Sequence, residues 1–263
     1  MVDRFPFMPG LEEVVKGTPA TRLVYLDDAY ATSYRCEVIR VIKDGGNSYV
    51  LLDATIFHPK AGGQPSDTGS ITEGEKKVEV KRAMGVWDET GFHVIHYGKG
   101  IVGQGLATLS IDWQPRYLYM RRHTAAHLLD HCLAEVTGRK TVTLGSWLGD
   151  ESYVDYAGSP PSPEEIKKVE ELERRYVNER LPVTFKVIPA EEAASLEAPN
   201  EERLPKYARE LRLVRIGEFE WIPCGGTHVR TSGEIGDFRL LRVTPVQGGY
   251  RVYFDVGRDG NSV

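Results

Sequence analysis

Apolar and polar positions alternate in short runs through the first part of the chain and recur at helical spacing further on. Residues 34–42 alternate through Cys36, Val38 and Ile42 and read as a strand. Asp44-Gly45-Gly46-Asn47 is a turn signal, and residues 49–57 form the returning strand. Residues 78–83, 92–97 and 106–112 add three more short strands with Gly between them. Short strands joined by regular turns predict a small barrel or sandwich over residues 21–113. Residues 1–20, rich in Pro and Gly with few periodic apolar positions, read as an extension that packs on a domain without belonging to its core.

The texture changes near Trp113. Pro115 suits a first helical turn, where its missing N–H costs nothing. Residues 116–136 contain no Gly or Pro, and Leu118, Ala125, Leu128, Leu129, Leu133 and Val136 fall at helical spacing, with Gly138 as the stop. Residues 141–147 and 152–156 read as a hairpin. Ser159-Pro160-Pro161 is a break. Ser162, Pro163 and Glu165 then supply an N-cap, an N1 proline and a capping box for a helix that runs to about Arg180 and stops at Pro182. Six Glu stand against five Lys or Arg along it, the signature of a solvated face. Strands follow at 183–188, 211–216, 238–243 and 251–256, with a short helix at 189–197.

Composition narrows the class without naming a function. The 263 residues are 41% apolar, 10% aromatic and 27% charged, ordinary usage for a globular chain long enough for one large or two medium domains. Lys plus Arg number 33 against 38 Asp plus Glu, a net charge of -5, so any nucleic-acid contact must use a local patch. Three cysteines (Cys36, Cys132 and Cys224) make no disulfide framework and suit a reducing cytosol. No run approaches the ~18 apolar residues of a membrane span. The start of the chain lacks a signal-peptide pattern, so a cytoplasmic location is expected.

Candidate chemistry lies in three places. His123-Thr124-Ala125-Ala126-His127 puts two imidazoles at i and i+4 on one face of the long helix. About a hundred residues later, Pro223 precedes Cys224-Gly225-Gly226-Thr227-His228, a thiol and an imidazole separated by a flexible pair of glycines. Together they form a His/His/Cys/His set whose softness fits Zn²⁺. His131 follows His127 by four, so either 123/127 or 127/131 could be the working pair. HExxH needs Glu after the first His as general base, and Thr124 stands there instead. An easy bond such as an activated ester therefore suits the site better than an amide. The third place is the loop Phe57-His58-Pro59-Lys60-Ala61-Gly62-Gly63-Gln64-Pro65-Ser66-Asp67-Thr68-Gly69. Its glycine pair lets backbone pass close to a ligand, and Gln64 and Asp67 offer polar side chains. It lacks the GK[ST] ending of a Walker loop, so no nucleotide cofactor is expected.

These blocks, in this order, resemble the editing domain of alanyl-tRNA synthetases, and more closely the free-standing trans-editing proteins of AlaX type. The resemblance rests on the FxPxxGGQ-like loop at 57–69, on Arg122-His123-Thr124-Ala125-Ala126-His127-Leu128-Leu129, and on Cys224-Gly225-Gly226-Thr227-His228-Val229 followed by Gly233-Glu234-Ile235-Gly236. It spans about residues 21–256. No aminoacylation core precedes the blocks, so the resemblance implies a separate editing enzyme.

What the resemblance implies is concrete. The fold would be α+β: a small amino-terminal β-barrel domain over residues 21–113, then a two-layer α+β editing domain over 114–263 like the second additional domain of threonyl- and alanyl-tRNA synthetases. The reaction would be hydrolysis of the ester joining an amino acid, chiefly serine and secondarily glycine, to alanine tRNA. The ligands of one Zn²⁺ would be His123, His127, Cys224 and His228. Catalytic roles would fall to His123, His127, Thr124 and Gln64, and substrate contacts to Gly62, Gly63, Gln64, Asp67, Thr124, Gly225, Gly226 and Thr227. Many relatives carry Thr before the second His where this chain has Ala126, so contact with a seryl hydroxyl would pass to Thr124.

Tenancy of RNA needs local positive charge. Residues 203–216 carry an excess of four positive charges and residues 116–140 an excess of three. Arg121, Arg122, Arg139, Lys140, Lys206, Arg209 and Arg212 are the candidate phosphate contacts, with Arg116, Arg203 and Arg215 in the same runs. Three other readings compete: editing of mischarged threonine tRNA, a non-catalytic tRNA-binding module with a structural zinc, and an unrelated metallohydrolase.

Overall fold

The computed structural model describes residues 10–195 and 209–257, which form two compact units. The first comprises residues 10–60 and 66–116; the second comprises residues 61–65, 117–195 and 209–257. The tip of the glycine loop thus belongs to the second unit, although both flanks belong to the first.

The first unit begins with helix α1 (Leu11–Val15), the two-residue strand β1 (Arg22–Leu23) and helix α2 (Val24–Asp27). Strands β2 (Ser33–Asp44) and β3 (Asn47–Leu52) form the expected hairpin. The short β4 (Ala54–Thr55) pairs parallel with β1. Then come β5 (Gly69–Glu73), β6 (Lys76–Asp88), β7 (Gly91–Gly100) and β8 (Gly105–Ile111). Six of these close a barrel in the order β2-β3-β7-β6-β5-β8. Closure requires strands that serve two neighbours. β2 gives residues 33–38 to β8 and 38–44 to β3, with a register shift at Val38/Arg40. β6 does the same between β5 and β7, with a shift at Val80/Arg82. Such irregularities bend a strand around a corner.

Alternate residues fill the barrel, among them Val38, Val50, Leu52, Ile71, Val78, Val94 and Leu109. β3 is buried on both faces, because Tyr49 and Leu51 meet Val14 and Val15 of α1 on the outside. The described part of residues 1–20, expected to pack on a domain without being its core, lies against the outside of the barrel. Val14 and Val15 are fully buried, and α1 is too short to show a helical period. Strand β5 is absent from the sequence reading for a similar reason. Its only buried residue is Ile71, so there is no alternation to see.

Helix α3 (Trp113–Thr137) leads into the second unit. Hairpin β9 (Thr143–Trp147) and β10 (Tyr153–Ala157) follows, then α4 (Pro163–Glu179). Ser162 and Glu165 of α4 exchange both capping-box hydrogen bonds, and Arg180 ends the helix in a left-handed conformation. Next are β11 (Val183–Pro189), a 3-10 turn (Ala190–Ser195), β12 (Glu210–Ile216), β13 (Ile222–Pro223), a second 3-10 turn (Ser232–Ile235), β14 (Arg239–Val246) and β15 (Gly249–Asp255). β14-β15-β10-β9 make one antiparallel sheet and β11-β12-β13 a smaller one. Val252 and Phe254 of β15 and Val154 and Tyr156 of β10 meet Leu128, Leu129, Cys132 and Leu133 of α3 and Val169 and Val177 of α4. The larger sheet therefore buries one face under two helices. The α+β class, with a closed barrel preceding a two-layer α+β unit, is borne out.

Candidate metal centre

Helical spacing stacks His123 and His127 with ring centroids 5.1 Å apart. The loop after β13 brings His228 within 4.3 Å of His123 and 4.7 Å of His127, centroid to centroid. Cys224 Sγ lies 3.4 Å from His123 Nε2 and 3.2 Å from His228 Nε2. One ligand atom from each of His123, His127, Cys224 and His228 lies within 4.8 Å of the others. Two stretches a hundred residues apart thus converge inside one unit. His131 takes no part. Its ring stacks on Phe219 at 3.6 Å and its Nε2 meets Glu135 at 3.2 Å.

Hydrogen bonds on the far side of two rings set their orientation. His123 Nδ1–H donates to Gln64 Oε1 at 3.0 Å. Thr227 N–H donates to the same oxygen, and Gln64 Nε2 donates to Thr227 Oγ1 at 2.9 Å. Thr124 Oγ1 donates to Met120 O and accepts from Val229 N–H, and His228 Nδ1–H completes its partners at 3.1 Å. With both Nδ1 atoms protonated, the Nε2 lone pairs of His123 and His228 face Cys224. Gln64 and Thr124 are therefore positioning residues. Thr124, expected to meet a seryl hydroxyl, has its own hydroxyl committed to this network.

The two glycine sequences earn close approach at two points. Gly63 is in a left-handed conformation (φ 80°), where a Cβ would overlap Ser146, and its carbonyl accepts from Leu148 N–H. A Cβ on Gly226 would overlap the His123 ring. Arg212 of β12 holds the ligand loop from both its main chain and its side chain. Its carbonyl accepts from Cys224 N–H, and its Nη1 donates to Cys224 O at 3.0 Å and Gly226 O at 3.2 Å.

Burial, helped by Arg212, pushes His127 down to about 4, so the imidazole is neutral and available as a ligand. Burial also pushes the Cys224 thiol up, against the pull of Gly226 N–H and Arg212. A buried thiolate here needs a cation beside it. Three imidazoles, one thiol and no carboxylate make a donor set that fits Zn²⁺ rather than a hard ion.

Other expected site residues go elsewhere. Asp67 belongs to the barrel unit, where its carboxylate accepts from Arg116 Nε at 2.9 Å and from His58 N–H at 2.6 Å. Gly62 is left-handed at the loop tip and Gly225 is exposed, and a Cβ at either would meet nothing within 4 Å. The expected phosphate contacts need more correction. Arg121 is 2% exposed and donates to the carbonyls of Glu234, Ile235, Val256 and Gly257. Arg122 is 6% exposed and is held by Gly149 O and Asp255. Arg116 is fully buried. All three are internal cross-links, since each guanidinium finds carbonyl or carboxylate acceptors where water is excluded. Arg139, Lys140 and Arg209 are exposed. Lys206 and Arg203 lie outside the described residues. The sequence reading missed the loop-holding role of Arg212, for which a local charge count carries no signal.

Residues 211–253, from β12 through Cys224 and His228 into β15, match the family described as the threonyl and alanyl tRNA synthetase second additional domain. Over a longer span the chain is 34% identical across 266 residues to an alanine–tRNA ligase of Pyrobaculum calidifontis, 33% across 255 to one of Pyrococcus abyssi, and 32% across 259 to one of Ignicoccus hospitalis. These matches cover 92%, 93% and 95% of this chain but 28%, 27% and 27% of the ligases. The chain thus spans little more than a quarter of the relatives it matches, and the resemblance to alanyl-tRNA synthetases is borne out over nearly its whole length. No helix among the described residues is long and apolar enough to cross a membrane.

Proposed function

We propose that this chain is a zinc-dependent deacylase that hydrolyses the ester between a wrong amino acid, serine or glycine, and alanine tRNA. The observation that carries this reading is the meeting of His123, His127, Cys224 and His228 in a chain related to alanine–tRNA ligases. Ligases that select alanine cannot strongly reject glycine, which is smaller, or serine, which adds one hydroxyl. A second hydrolytic step is the physical remedy.

His123, His127, Cys224 and His228 would hold one zinc ion, which supplies Lewis-acid polarisation of an acyl ester. Gln64 keeps His123 in the tautomer that ligates, and Thr124 does the same for His228. Arg212 fixes the loop that carries two of the donors. In the reaction, water adds its oxygen to the ester carbonyl, the bond to the ribose oxygen breaks, and that oxygen leaves with a proton. An aminoacyl ester is activated, which suits a site with Thr124 where a zinc protease has a glutamate base.

A four-donor set also favours a second reading, a structural zinc in a tRNA-binding module, because closed tetrahedral sites are usually structural. The deciding experiment is deacylation of Ser-, Gly- and Ala-charged tRNA(Ala), and of Ser-charged tRNA(Thr), by zinc-loaded protein with and without chelator. Turnover of Ser- or Gly-tRNA(Ala) that chelator abolishes, with Ala-tRNA(Ala) spared, is expected. Zinc-loaded protein that binds tRNA without turnover supports the structural reading. Preference for Ser-tRNA(Thr) replaces alanine by threonine as the system served.

A further inference from the structure

The face of β11 beside the candidate metal centre carries two exposed apolar side chains, Phe185 at 48% and Val187 at 53%. They lie two residues apart and so share a face of the strand. Arg212, directly opposite Val187 in the β11–β12 pairing, shares that face. Its guanidinium stands 4.8 Å from the centre of the Phe185 ring. The same guanidinium donates to Cys224 O and Gly226 O, so one planar group links the metal-ligand loop to a half-exposed aromatic ring.

That juxtaposition has a chemical match. Aromatic rings and arginine planes are the two protein surfaces on which unpaired nucleobases stack. If the chain hydrolyses an aminoacyl ester of tRNA, the base of the esterified nucleoside is one ribose away from the bond that breaks. Such a base must therefore lie against the surface next to the ligands. The charge is also right: the Arg212 guanidinium beside the Phe185 ring is a cation on the surface that an RNA chain would meet.

Resting on the proposed deacylase reading, we propose that Phe185, backed by Arg212, is the stacking platform for the terminal base of the RNA that carries the aminoacyl ester. Stacking on an exposed ring is sequence-tolerant and holds the ribose ester near the ligands without contact to the rest of the tRNA.

The test uses zinc-loaded protein, Phe185→Ala and Phe185→Tyr, with zinc content measured for each. Phe185→Ala is expected to raise KM for Ser-tRNA(Ala) about tenfold with kcat held, while Phe185→Tyr restores it. Affinity for a short single-stranded oligoribonucleotide with a free 3′ end should fall by the same factor, about 1.4 kcal/mol. Equal oligoribonucleotide affinity in wild type and Phe185→Ala overturns the proposal. So does a Phe185→Ala change in self-association by sedimentation with RNA binding intact, which would make the face a contact between copies of this chain. Phe185-dependent RNA binding by a protein that never deacylates keeps the platform and removes the deacylase reading.

Discussion

Gln64 and His123 are 59 residues apart in sequence and meet at 3.0 Å, Oε1 to Nδ1, inside one unit. The glutamine sits fully buried at the tip of the glycine loop, and its other side-chain hydrogen bonds go to Thr227 of the Cys224–His228 loop. It therefore ties both ligand-bearing segments together. Gln64→Ala is expected to weaken zinc binding by about 10–100-fold, the usual cost of removing a partner behind a ligating histidine. Gln64→Glu, which keeps an oxygen acceptor for His123 Nδ1–H, should retain most of the affinity. Competition against a zinc-sensitive chelator dye measures both. Wild-type affinity in Gln64→Ala would show that the amide does not orient the ring.

Arg212 offers a comparable lever on the other ligand segment. Its side chain holds the carbonyls of Cys224 and Gly226, and a hydrogen bond from a charged group contributes ~1.5–3 kcal/mol. Arg212→Ala is expected to speed zinc release to excess chelator by ten-fold or more. Arg212→Lys should give an intermediate rate, because a point charge lacks the fork that reaches two carbonyls at once. Stopped-flow release rates would decide, and identical rates across the three proteins would assign loop rigidity to the backbone alone.

The adjacent glycines of the ligand loop should respond in opposite ways. A Cβ at Gly226 would overlap the His123 ring and stand 3.1 Å from Gln64 Oε1, whereas a Cβ at Gly225 meets nothing within 4 Å. Gly226→Ala is expected to reduce zinc content below one per chain as purified, and Gly225→Ala to leave it at one. Metal analysis of the two variants is the measurement. Full zinc in Gly226→Ala would mean that the helix and loop separate more easily than their packing suggests.

Legibility in the sequence followed the physical character of each feature. Periodic features could be read: the α3 stripe from Leu118 to Val136, the capping box at Ser162 and Glu165, and the β2–β3 turn at Gly45-Gly46 all act over a few residues. Short ones could not. α1 and β5 show too few buried positions to make a period, and residue spacing left His131 level with His123 until the Phe219 stack and the Glu135 contact placed it elsewhere. Charge counting failed at Arg116, Arg121 and Arg122, because a guanidinium in sequence looks the same whether it faces solvent or four buried carbonyls. Thr124 was visible as a neighbour of His123, yet its partner is His228, 104 residues away.

Glu173 exposes a different constraint, within the core of the second unit. It lies on α4 between Val169 and Val177 at helical spacing, is 0% exposed, and neither carboxylate oxygen has a hydrogen-bond partner among the described residues. Burial, with Asp130 and Glu170 nearby, raises its pKa well above the ordinary 4.5. Burial without a partner therefore favours the neutral acid in the folded state. A group with a raised folded pKa contributes fully below its unfolded pKa, and that contribution is lost as pH climbs above it. Asp130, raised to about 7 by burial although Tyr156 donates to it at 2.6 Å, adds a slope of the same sign. Glu173→Met replaces an unpaired buried carboxyl by a flexible apolar chain of similar length. It is expected to stabilise the protein by roughly 1–3 kcal/mol at pH 8, the scale of an unsatisfied buried polar group. The gain should shrink towards pH 4.5, and the remaining fall in stability with rising pH should be that of Asp130. Thermal melts of the zinc-loaded proteins across pH 4.5–8 read both quantities. A gain that does not vary with pH would assign the effect to packing, and a loss at pH 8 would mean that Glu173 is paired in solution.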